Sequence, residues 1–114
     1  MGNLREMKII PIQASSTPLS AAEIKKMSAE LANWAVIQVD GENRLQRKYH
    51  FKDFSQALAF TNQVGGIAEE ENHHPSILTE WGLVTVTWWT HKVKGLHQND
   101  FIMAARTDYL YDQK

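Results

Sequence analysis

The stretch Glu69-Glu70-Glu71-Asn72-His73-His74-Pro75 gathers acids and imidazoles within a few residues, and a further imidazole follows at Thr90-His91. Histidine is the side chain whose ordinary pKa lets it both give and take a proton near neutral pH. Histidines beside carboxylates therefore make a candidate acid–base site. Pro75 biases His74 toward extended backbone, and successive extended residues point to opposite sides. The two rings are expected to do different work instead of gripping one ion. Three histidines could hold zinc, but His73-His74 lacks the helical two-turn spacing of a zinc-protease helix, and no metal site is expected. With no cysteine and no glycine-framed serine, a covalent nucleophile is disfavoured. A plainer reading stands beside this one. Three glutamates can simply be a solvated helix end, His91 alone would be structural, and His50 and His97 read as surface or capping residues.

The elements that must carry these residues follow from periodicity and caps. Ser20 with Glu23 forms a capping box, and Ile24, Met27, Leu31 and Trp34 predict a helix over 20–33. Trp34 to Val39 has strand composition, Asp40-Gly41 is a tight-turn signal, and Leu45, Tyr49 and Phe51 alternate with polar residues along a second strand. Asp53 with Gln56 caps a helix over 53–70, whose apolar stripe is Phe54, Ala57, Leu58, Thr61, Val64 and Ala68. Gly65-Gly66 should weaken it by about 1 kcal/mol each relative to alanine. Strands are expected at 77–80 and 83–91, broken by Gly82, with Trp89 and His91 sharing one face of the longer strand. A last helix spans 98–112, with Ile102, Ala105 and Tyr109 on one face. Trp34, Trp81 and Trp88 read as core, and Trp89 as the indole nearest His91. This order predicts an α+β fold: a four-stranded antiparallel sheet with three helices packed on one face.

At 114 residues with 43% hydrophobic side chains, the chain is one domain with a real core. Residues 1–17 read as an N-terminal arm ahead of a domain over 18–114, with ordered structure expected to begin at Ser20. Within the arm, Ile9-Ile10-Pro11-Ile12 is apolar, which leaves open an edge strand or packing on a neighbour. A net charge of −1 gives no argument for nucleic acid or membrane as a partner. No apolar run is long enough to span a bilayer, and the start shows no signal core. Together with the missing cysteine, this fits a cytoplasmic location.

Taken together, Tyr49-His50-Phe51-Lys52-Asp53-Phe54, Glu69, His73-His74-Pro75, Trp81, Thr90-His91, Gly95-Leu96 and Asp100 resemble the pterin-4a-carbinolamine dehydratase family from about Pro18 to the last helix. The resemblance implies the same sheet and three helices, self-association to a homodimer or homotetramer, and no cofactor. It implies a lyase reaction, loss of water from a 4a-hydroxytetrahydropterin to give quinonoid dihydropterin. That reaction recycles the pterin used by an aromatic amino acid hydroxylase. By the resemblance His73 and His91 transfer protons and His74 positions the ring, so the catalytic set is His73, His74 and His91. Asn72, Trp89, Thr90 and Lys92 would complete the pterin-binding wall, with Glu69 holding a histidine in place and Asp100 structural, capping the last helix or anchoring the site loop. Family members commonly have aspartate where this chain has Asn72, a small polar residue at Trp89, and at times an acid at Lys92. The alternative is a non-catalytic interaction or assembly protein on the same scaffold, which would have no need of the three histidines.

Overall fold

A computed structural model describes residues 3–13 and 15–113. Helix α1 (Ala21–Ser28) starts at the Ser20–Glu23 capping box, with the serine hydroxyl accepting from the Glu23 N–H and the carboxylate accepting from the Ser20 N–H. It ends five residues short of the 20–33 expectation. Tight turns follow, Leu31 N–H to Ser28 O and Trp34 N–H to Leu31 O, and they deliver Leu31 and Trp34 into the core. The apolar spacing thus reports burial here and not helix.

Strands β1 (Ala35–Val39) and β2 (Glu42–His50) form the hairpin, with Asp40 and Gly41 both at positive φ, as this tight turn demands. Helix α2 (Phe54–Glu71) begins on Asp53, whose carboxylate accepts from Gln56 N–H, and runs unbroken through Gly65-Gly66. Its buried stripe is Ala57, Phe60, Val64 and Ala68, while Phe54 and Leu58, expected on that stripe, are exposed. Strands β3 (Ser76–Glu80) and β4 (Leu83–Trp88) follow, and the sheet is antiparallel throughout in the order β1-β2-β4-β3. Gly82 lets their turn lie against Phe51, whose N–H donates to the Gly82 carbonyl at 2.9 Å; a Cβ on Gly82 would sit 2.9 Å from the Phe51 carbonyl. Trp81, expected in the core, occupies this turn and is 70% exposed.

The expected 83–91 strand ends early. Thr90 and Gly95 exchange backbone hydrogen bonds of 2.9 and 3.4 Å, closing a loop in which His91–Val93 is a 3-10 turn. His91 therefore stands on a loop, not on a strand face. Helix α3 (Gln98–Asp112) packs Phe101, Ala104 and Thr107 inward. Of the expected Ile102, Ala105 and Tyr109 face, only Ile102 is fully buried, and Tyr109 is exposed with the Arg5 guanidinium over its ring.

One face of the sheet, carrying Leu45, Tyr49, Val84, Val86 and Trp88, closes with the helices over a single core. Order does not wait for Ser20. Leu4–Glu6 forms a 3-10 turn on α3, Leu4 is buried, and Arg106 donates to the carbonyls of Arg5 and Met7. Among the described residues no helix is long and apolar enough to cross a membrane.

Candidate active site

The site begins where α2 stops. Asn72 closes the helix in the left-handed region at φ 52°, a conformation that asparagine tolerates better than most residues. Its N–H reaches the carbonyls of Ala68 and Glu69, and the His73 N–H reaches Ala68. This capping reverses the chain in one step and sends the two following imidazoles into different surroundings. His73 is buried, with Nε2 2.7 Å from Asp100 Oδ1 and its ring stacked on Trp88 at 5.8 Å between centroids. His74 is exposed, with Nε2 2.5 Å from Glu69 Oε2, a kind of pair that adds little to stability.

Asp100 is 0% exposed, and a carboxylate in that position needs donors on both oxygens. Oδ1 faces His73, while Oδ2 accepts the Thr90 hydroxyl at 2.7 Å and the His97 N–H at 2.9 Å. One side chain thus caps α3, ties down the loop that carries His91, and orients His73. Because a carboxylate only accepts, neutral His73 keeps its proton on Nε2 and its lone pair on Nδ1. Beside it, His97 caps α3 with Nδ1 accepting from the Asn99 N–H at 3.0 Å. Burial pushes the His97 pKa below its ordinary 6.5, Asp100 opposes that shift, and His73 adds to it.

These elements border a cleft of about 660 Å³. Asn72, His73, His74, Trp89, Thr90, His91 and Lys92 all line it, so residues from two distant segments of sequence meet on one wall. The Thr90 hydroxyl proton is committed to Asp100, and its backbone pairs with Gly95. The Trp89 ring has the Arg44 guanidinium 3.9 Å from its centroid, a cation–π contact that holds the indole as a wall. Glu69 and Asp100 stand behind His74 and His73. Among the described residues no group of three or more histidines and carboxylates is placed to hold a metal ion.

The sequence reading missed part of the lining. Ile9, Ile10, Pro11 and Ile12 border the same cleft, as do Glu71 and Asn99. Glu71 pairs with Arg106 at 2.7 Å, and Asn99 is 1% exposed. The signal available in the sequence was the apolar run itself, set in an otherwise polar arm.

Residues 17–110 match the family described as pterin 4 alpha carbinolamine dehydratase. A Microcystis aeruginosa protein, provisionally named a pterin-4-alpha-carbinolamine dehydratase, is 54% identical over 114 residues, all of this chain and 98% of that protein. A Chlorobium limicola protein with the same provisional name is 53% identical over 98% of this chain and 99% of that one. The crystal structure of a transcriptional coactivator/pterin dehydratase from Brucella melitensis superposes with a TM-score of 0.75 at 32% identity, covering 83% of this chain and 99% of that one. A pterin dehydratase-like protein identified as a RuBisCO assembly factor in the alpha-carboxysome shares the fold, with a TM-score of 0.59 at 22% identity over 69% of this chain and 89% of that one. By sequence match, full-length relatives and fold, this chain belongs to the pterin-4a-carbinolamine dehydratase family.

Proposed function

We propose that this chain is an active dehydratase, removing water from a 4a-hydroxytetrahydropterin to give quinonoid dihydropterin. The observation that carries this reading is the buried Asp100–His73 pair opening onto a cleft that His74 and His91 also line. In the reaction the C4a–oxygen bond breaks, the N5–H proton leaves, and the N5 electron pair becomes the new N5=C4a bond. The departing oxygen takes a proton and leaves as water. His73 and His91 share the two transfers, one delivering a proton to the oxygen and the other accepting from N5. Asp100 fixes the His73 tautomer and stabilises the imidazolium whenever the ring gains a proton. His74, held by Glu69, positions the ring, and Asn72, Trp89 and Lys92 complete the wall.

In the cell this activity would return the pterin spent by an aromatic amino acid hydroxylase, with the chain working as a homo-oligomer in the cytoplasm. Its relatives' names include a coactivator and an assembly factor, so a partner-binding role is the competing reading. The buried carboxylate–imidazole pair in a cleft favours the enzyme, because docking a protein does not require it.

The test is the dehydration of freshly generated 4a-hydroxytetrahydropterin, followed by absorbance in the presence of a chelator. Acceleration by the parent should fall by roughly 10²–10⁴ in His73→Ala and in His91→Ala, the range general acid–base groups contribute. A folded parent that gives no acceleration over buffer sinks the enzyme reading.

A further inference from the structure

The arm lies outside the residues that match the family, which begin at 17, yet it borders the cleft. Its path is held at two places on α3. Arg106 donates to the carbonyls of Arg5 and Met7. Nearer the helix start, the Asn99 side chain grips Ile10 on both backbone groups, accepting its N–H at 3.1 Å and donating to its carbonyl at 2.7 Å. A buried amide that satisfies both groups of one residue fixes that residue as a strand partner would. The Ile10 side chain is nevertheless 46% exposed. A rigid backbone that presents an apolar side chain into a cleft is built like a binding surface, not like a frayed terminus.

The chemistry of the two parts of the lining separates them. His73, His74 and His91 belong with the reacting C4a and N5 of a reduced pterin, where protons move. What remains for Ile10, Pro11 and Ile12 is an apolar region, and in a tetrahydropterin that is the saturated C6–C7 edge with its substituent. Resting on the dehydratase reading, we propose that Ile10 and Ile12 form the pocket for the C6 substituent, and that Asn99 is the positioning residue that holds this pocket in place. The arm then adds binding that is equal in ground and transition states, which moves KM and not kcat.

The experiment compares the parent with Ile10→Ser/Ile12→Ser and with Asn99→Ala. Two freshly generated 4a-hydroxytetrahydropterins are used, one with a methyl group at C6 and one unsubstituted there. For the methylated substrate the double variant should raise KM about tenfold with kcat within about twofold, the signature of lost uniform binding. The parent's preference for the methylated substrate should shrink with it. Asn99→Ala should follow in the same direction, with circular dichroism reporting its folding. The double variant leaves the arm's backbone clamp intact and substitutes side chains outside the core, so it decides the matter even if Asn99→Ala unfolds. An active parent whose KM is unmoved by the double variant, or whose kcat falls instead, overturns the arm assignment and leaves the dehydratase standing. A parent with no activity on either substrate overturns both.

Discussion

Helix α3 carries two carboxylates that each gather several donors, Asp100 in its first turn and Asp108 near its end. Asp108 accepts from Arg47 at 2.5 Å, from the Tyr49 hydroxyl at 2.6 Å and from the Trp34 indole N–H at 3.0 and 3.1 Å. Asp100 accepts from a threonine, a backbone amide and His73. The difference lies in the cation. A guanidinium is a fixed cation, so the Asp108 cluster keeps its charge and ties β2 and the turn ahead of β1 to α3. An imidazole can hold one proton or two, so the Asp100 cluster can take up and return a proton, and it is the one that opens on the cleft. One helix thus fixes the fold at one end and holds a movable proton at the other.

The sharpest way to break this division is to remove Asp108. Asp108→Ala leaves Arg47, Tyr49 and Trp34 facing an unfilled space, and should lower stability by about 3 kcal/mol in chemical denaturation. The protein that remains folded should keep its kcat. Equal damage to kcat would mean that the two ends are not separate. Next comes Asp100→Asn, nearly the same shape but with an amide donor where three donors converge. It should lower kcat by roughly 10- to 100-fold in folded protein, or about 1.4–2.8 kcal/mol of activation free energy. A loss of stability alone, with kcat intact, would reduce Asp100 to a cap.

The smallest effect is the pH dependence contributed by His97. Its pKa is depressed in the fold, chiefly by burial, so as pH falls the unfolded chain takes the proton first. The stability from this group is therefore complete above its unfolded value of about 6.5 and is lost as pH falls through the lower folded value. His97→Ser replaces the capping ring nitrogen with a capping hydroxyl oxygen and removes the titration. Denaturation midpoints from pH 7.5 down to 5 should fall less steeply in the variant, and identical slopes would remove His97 from the account.

Much of the scaffold was legible because its signals are local. Ser20 with Glu23, Asp53 with Gln56, and Asp40-Gly41 each place a boundary within four residues, and all three form as expected. The glycine pair in α2 did not break it, since an 18-residue helix with a buried stripe outweighs two weak propensities. The failures are contacts between distant residues. Leu31 and Trp34 kept helical spacing but serve a turn. Trp81 looked like core only because its hydrophobicity was counted without its place in a turn. The candidate site shows the same limit. The histidines announced themselves by type, and Asp100 entered only through the family resemblance. No local pattern says that Asp100 lies 2.7 Å from a ring 27 positions earlier, or that Asn99 grips a residue 89 positions away.

The Tyr49–Asp108 bond has an optical consequence. Burial and the adjacent carboxylate push the phenol far above its ordinary 10.0, so its folded-state contribution is intact below pH 10 and is withdrawn as alkali ionises the unfolded chain instead. The ultraviolet band of this phenolate should therefore appear together with collapse of the far-ultraviolet dichroism, not ahead of it. Tyr49, one of three tyrosines in the chain, would then be a built-in dye for alkaline unfolding, one whose own colour comes only when the end of α3 lets go of the sheet.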